Sequence, residues 1–123
     1  MENIVLEFDK RKIEIEEILE HIDYYCNKAN EALELYSCKN LKESRLIFKD
    51  LRNKLKLEYN YYKKVSISKV IRKSNVYMIY KKEIANAYVK QNRPNSNDNL
   101  SSNLYDIYSY MGYARVCISE LIN

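Results

Sequence analysis

Apolar residues recur along the chain at three- and four-residue intervals, the signature of helices that bury one face. The first stripe runs through Phe8, Ile15, Ile18, Leu19, Ile22, Tyr25, Cys26, Ala29, Ala32, Leu33 and Tyr36, and predicts a long helix over about 8–37. Asn40-Leu41-Lys42-Glu43 reads as a helix start, because an Asn side chain can accept from a free backbone N–H while a Glu three residues on reaches back. A second stripe follows over 40–65: Leu41, Ser44, Phe48, Leu51, Leu55, Tyr59, Tyr62 and Val65. The third comprises Ile67, Val70, Ile71, Ser74, Tyr77, Met78, Ile84, Ala85 and Tyr88 over 67–92. A break near Ser66 separates the two; the alternative is one kinked helix from Asn40 to about Gln91.

Residues 92–99, Asn-Arg-Pro-Asn-Ser-Asn-Asp-Asn, are turn formers around the sole proline and read as a mobile loop. Beyond it Leu100, Leu104, Ile107, Met111, Ala114, Ile118 and Leu121 alternate four and three, as in a bundle seam, and predict a helix over 100–122. Gly112 lies off that seam, where it costs about 1 kcal/mol relative to alanine; it either admits another backbone closely or reflects drift. The fold expected is all-α, an antiparallel bundle of about four amphipathic helices in one domain, with stripes long enough to continue across a dimer.

Composition narrows the chemistry. With one glycine and one proline in 123 residues there is little material for hairpins, phosphate loops or nucleophile elbows. Lys, Asn, Ile and Tyr share A/T-rich codons, which points to an AT-rich genome such as that of a low-GC bacterium, its phage or another mobile element. The acidic N-terminus does not resemble a signal peptide and no apolar run is long enough to span a bilayer, so a cytoplasmic protein without a membrane partner is expected. Cys26, Cys38 and Cys117 form no CxxC pair; reduced thiols, no metal and no cofactor are expected. His21, the sole histidine, has no accompanying nucleophile motif, so a non-enzymatic protein is expected.

Charge divides the chain into blocks. Residues 1–38 carry a net −6, residues 39–93 a net +12 and residues 94–123 a net −2. Either the acidic first helix neutralises the basic hairpin beside it, or a basic face remains for a partner. Lys54, Lys56, Lys63, Lys64, Lys69, Arg72 and Lys73, interleaved with Tyr59, Tyr61 and Tyr62 and opposed only by Glu58, have the composition of a phosphate-binding surface. A helix-turn-helix over 67–84 fits poorly, since Asn75 replaces the usual turn glycine and Lys81 would be buried. Tyr77, Tyr80 and Tyr88, with Tyr105, Tyr108, Tyr110 and Tyr113, can supply interface anchors.

In size, basic charge and helical plan the chain resembles small inhibitor and immunity proteins of bacteria, phages and plasmids, including bacteriocin-immunity bundles and anti-CRISPR proteins. The small helical subunits of CRISPR effector complexes offer a second likeness. Both are likenesses of type that rest on no motif. They imply a protein that occludes a protein partner; the alternative is nucleic-acid binding through helices 2 and 3. The residues expected to carry binding are Lys56, Tyr61, Lys63, Lys64, Lys69, Arg72, Lys73, Tyr77, Tyr80, Tyr105 and Tyr108.

Overall fold

A computed structural model describes residues 9–64, 75–91 and 99–122. Four helices account for nearly all of them: α1 (Asp9–Ser37), α2 (Leu41–Lys64), α3 (Asn75–Gln91) and α4 (Leu100–Ile122). Each packs chiefly on its two neighbours in a closed ring of order α1, α2, α3, α4, leaving α1 diagonal to α3 and α2 diagonal to α4. The fold is the expected four-helix bundle. Ala32 lies beside Ser44 and Tyr25 beside Glu58, so α1 and α2 run antiparallel.

The apolar stripes meet in one core. α1 contributes Ile15, Ile18, Ile22, Tyr25, Ala29 and Ala32; α2 contributes Phe48, Leu51 and Leu55. From α4, Leu100, Leu104, Ile107, Met111, Ala114 and Ile118 are all buried, as the four-three alternation requires, whereas Leu121 is 48% exposed. The third stripe is corrected in part: Tyr77 and Ile84 are buried as expected, Ala85 and Tyr88 are half-buried, and Val76, Tyr80 and Ala87 complete the core-facing side of α3, whereas Met78 points outward at 55% exposure. Residues 67–74 of the expected third helix, and 92–98 of the expected loop, lie outside the described residues.

The α1–α2 connection shows how a chain poor in glycine turns. Lys39 takes a left-handed conformation, φ 65°, at the position where helices commonly place glycine. Its N–H donates to the Tyr36 carbonyl (3.0 Å) and the Asn40 N–H to the Leu35 carbonyl (2.8 Å), closing a Schellman motif. The Ser44 N–H then donates to the Asn40 carbonyl (3.2 Å), starting α2 where the sequence marks a helix start. The Ser44 hydroxyl, fully buried, donates to the Ala32 carbonyl at 2.8 Å and ties the second helix to the first.

Because a side chain at left-handed φ is strained by about 1–2 kcal/mol, Lys39→Gly is expected to raise the unfolding free energy by about 0.5–1 kcal/mol. Ile107→Ala, by opening a cavity in the core, is expected to lower it by about 2–5 kcal/mol. Urea titration followed by circular dichroism at 222 nm measures both.

Candidate functional site

Glu58 is the acid expected to oppose the basic stretch from the surface. It is instead buried, at 9% exposure, among α1, α2 and α3. Its Oε2 accepts the Tyr25 hydroxyl at 2.6 Å and the Tyr80 hydroxyl at 2.6 Å. Its Oε1 faces His21 Nδ1 at 2.5 Å, and neither of those two atoms has a further hydrogen-bond partner. Lys54 Nζ stands 4.0 Å from the same Oε1 and 5.4 Å from the centroid of the Tyr24 ring. Burial by itself would push the Glu58 carboxyl up. The hydrogen bonds from His21, Tyr25 and Tyr80, with the positive charge His21 carries when protonated, outweigh it and hold the carboxyl below the usual glutamate range.

This network corrects the reading of two tyrosines as outward anchors. Tyr80 is fully buried and Tyr77 is 3% exposed, because their positions fall on the core row of α3 and the Tyr80 hydroxyl is spent on Glu58. The signal for Glu58 was present in the sequence: Ser44, Phe48, Leu51, Leu55 and Glu58 continue one four-three alternation, with the acid where the next core residue is due. Chemically, the carboxylate orients the imidazole of His21. Its four partners come from the preceding turn of α2 and from the two helices packed on it, so the cluster fits the role of a satisfied buried charge.

The basic side chains are arranged differently. On α2, Arg45, Lys49, Arg52 and Lys56 recur at four, three and four residues and so share one stripe. Arg45, Lys49 and Lys56 are exposed, and among the described residues none of the three makes an ion pair. Tyr59, just off the stripe, stacks on Tyr88 of α3 with ring centroids 4.8 Å apart, which places the stripe on the α3 side of α2. The exposed acids of α1, among them Glu20, Glu31 and Glu34, belong to the helix diagonal to α3. Acidic α1 therefore does not cover the stripe; one inter-helix bridge of an α1 acid joins Asp23 to Arg115 of α4, at 3.4 Å. Outward on α2, next round the helix from the stripe, stand Leu46 and Leu57, 56% and 71% exposed, and Tyr61, 53% exposed, lies further round toward α1 in line with Lys54.

Of the other residues expected to bind, Lys56 and Tyr61 are exposed on α2, and Tyr105 and Tyr108 are exposed on α4. Lys63 and Lys64 fall in the last turn of α2 and their side chains are outside the described set; Lys69, Arg72 and Lys73 lie outside the described residues altogether. An open groove of about 430 Å³ runs between α3 and α4, lined by Met78, Ile79, Cys117, Glu120 and Leu121. Cys26 and Cys117 are half-buried rather than buried, and Cys38 is exposed. Burial, then the nearby Asp23, pushes the Cys26 thiol up, away from the reactive thiolate. Among the described residues no group of three His, Cys, Asp or Glu is placed to hold a metal ion, and no helix is long and apolar enough to cross a membrane. Comparison with known families, with curated proteins and with solved structures finds no match to this chain.

Tyr25→Phe and Tyr80→Phe are each expected to cost about 1–3 kcal/mol of stability by depriving a buried carboxylate of a donor, and together to depart from additivity because both serve Oε2. Since the Glu58 carboxyl lies below its unfolded value, its contribution is complete above about pH 4.3 and is lost as pH falls through the lower folded-state value. The stability gap between the wild type and Glu58→Gln should therefore narrow between pH 5 and pH 3, as read by urea titrations across that range.

Proposed function

We propose that this protein is a non-enzymatic binding domain that occludes an acidic surface of a protein partner, as an inhibitor, immunity or regulatory factor of a bacterium, phage or mobile element acting in the cytoplasm. The observation that carries the reading is the outer surface of α2, where exposed Leu46 and Leu57 face outward next to Arg45, Lys49 and Lys56, which are exposed and make no ion pair among the described residues. Apolar side chains of this size buried at the centre of a contact supply most of its affinity, and charges at its rim supply steering and partner choice. A sugar-phosphate backbone would use the cations and leave the leucines in water. The carboxylates of α1 face away from this surface and serve to repel acidic partners from the wrong side.

A second reading keeps the same stripe and gives it nucleic acid as its partner. The regular spacing of the cations favours it, and Lys63, Lys64, Lys69, Arg72 and Lys73 follow in the sequence. The two readings separate on salt and on leucine. Anisotropy of labelled single- and double-stranded DNA and RNA is expected to show no tight binding at 50 mM salt; if four phosphates were neutralised, affinity would instead fall by about 100-fold between 50 and 200 mM. In pull-downs from the source cell, the wild-type protein is expected to retain a protein that is lost with Leu57→Ala and with the Arg45→Glu/Lys49→Glu/Lys56→Glu variant, and kept with the control Glu31→Lys. Retention by both altered proteins would sink the α2 assignment.

A further inference from the structure

The acids of α2 and α3 are withdrawn from the seam between these two helices. On α2, Glu43 and Asp50 share the row of Lys54, whose Nζ stands over the Tyr24 ring of α1, so both belong to the α1 side. Glu58 is held inside by its tyrosines. α3 has one acid, Glu83, which is 4% exposed and accepts the Asn86 side-chain amide at 3.2 Å. The cations are placed the opposite way. Arg45, Lys49, Arg52 and Lys56 lead along α2 toward Tyr59, which stacks on Tyr88 of α3. On α3, Tyr77, Lys81 and Tyr88 fall on one row at spacings of four and seven, so Lys81 stands on the same seam from the other side. Its Nζ lies 6.0 Å from the centroid of the Tyr77 ring. The basic surface therefore does not end at α2: it crosses to α3, with no exposed acid among the described residues of the seam.

On α3 this surface meets an apolar pocket. An open cavity of about 450 Å³ is lined by Met78, Ile79, Lys81, Lys82 and Ala85. Met78 is 55% exposed, and Val89, further along the same outer side, is 61% exposed. Lys81 and Lys82 are exposed and make no ion pair among the described residues. Two lysines at the mouth of an apolar pocket set the chemistry of what enters it. A large apolar side chain seats against Met78 and Ile79, and carboxylates on either flank of it meet the lysines. Methionine, unbranched and polarizable, accommodates aliphatic and aromatic groups alike. A phosphate backbone matches the lysines and leaves the pocket unfilled.

We propose that the docking surface spans the α2–α3 seam, and that the pocket on α3 receives the central apolar side chain of an acidic segment of the partner protein. The carboxylates of that segment pair with Lys81 and Lys82 and reach the α2 cations across the seam. This rests on the reading of α2 as the face that meets an acidic partner, and adds where the partner is anchored and what its contacting segment carries.

Fluorescence anisotropy tests it with a labelled peptide of about 12 residues, Glu and Asp around a central Phe-Leu pair, long enough to cross two packed helices. The full chain is expected to bind this peptide at about 50 mM salt, and to bind the same peptide with Ser-Ser at its centre about 10-fold or more weakly. Met78→Asp and the Lys81→Glu/Lys82→Glu pair, all at exposed positions, should keep the melting temperature and each weaken binding by about 10-fold or more. Glu31→Lys, on α1, should leave it unchanged. Absence of binding, equal affinity for the two peptides, or preference for an oligonucleotide of the same charge that Met78→Asp does not alter overturns the proposal. Salt-sensitive self-association in sedimentation velocity also overturns it, because the acidic α1 of a second copy then occupies the seam. Loss of binding with Arg45→Glu/Lys49→Glu/Lys56→Glu but with neither α3 change removes the pocket and leaves the α2 reading standing. Loss with the α3 changes alone keeps the pocket and removes the α2 reading.

Discussion

A carboxylate buried between three helices must be paired on every lone pair it exposes or it destabilises the fold it sits in. Glu58 meets that demand with the Tyr25 and Tyr80 hydroxyls on one oxygen and His21 with Lys54 on the other. The donors arrive from α1, α2 and α3, so the rotation and axial register of these helices are fixed together. Leucine-like side chains tolerate a slipped register with a modest loss of packing. A hydroxyl held at 2.6 Å from a carboxylate does not, and in this bundle the polar cluster specifies one arrangement of helices that the apolar rows alone would leave nearly degenerate.

The same register decides which surfaces face water. With the ring closed in the order α1 to α4, the acidic side of α1 and the basic stripe of α2 point in different directions, and charge blocks separated in the sequence remain separated in space. The Tyr59–Tyr88 stack closes the seam between α2 and α3 and fixes the side on which the cations stand. α4 is held from two sides, by α1 and α3, and its outer side carries exposed Tyr105, Val116 and Glu120.

How much of this was legible beforehand varied by helix. The α4 seam reads cleanly because Leu100, Leu104, Ile107, Met111, Ala114 and Ile118 are all apolar at strict four-three spacing. The α3 row was partly misplaced because Met78 and Tyr80 are both plausible core residues, and propensity cannot tell which of two apolar neighbours faces inward when the phase is carried across a break. Glu58 was misread for a related reason. A lone acid in a lysine-rich stretch looks like a surface counter-charge, and its burial requires two tyrosines that lie 33 and 22 residues away in the sequence.

The sequence by itself determined the all-helical class, the start of α2 at Asn40, the stripes of α1 and α4 and the block structure of charge, since all of these follow from periodicity and residue type within a few turns of chain. Only the tertiary structure decided that Tyr77 and Tyr80 are inside, that Glu58 is a buried anchor, that acidic α1 leaves the basic stripe open, and that Gly112 faces empty space. These depend on which helix lies beside which and at what rotation. Those relations are set by contacts between residues far apart in the chain, which no local pattern encodes.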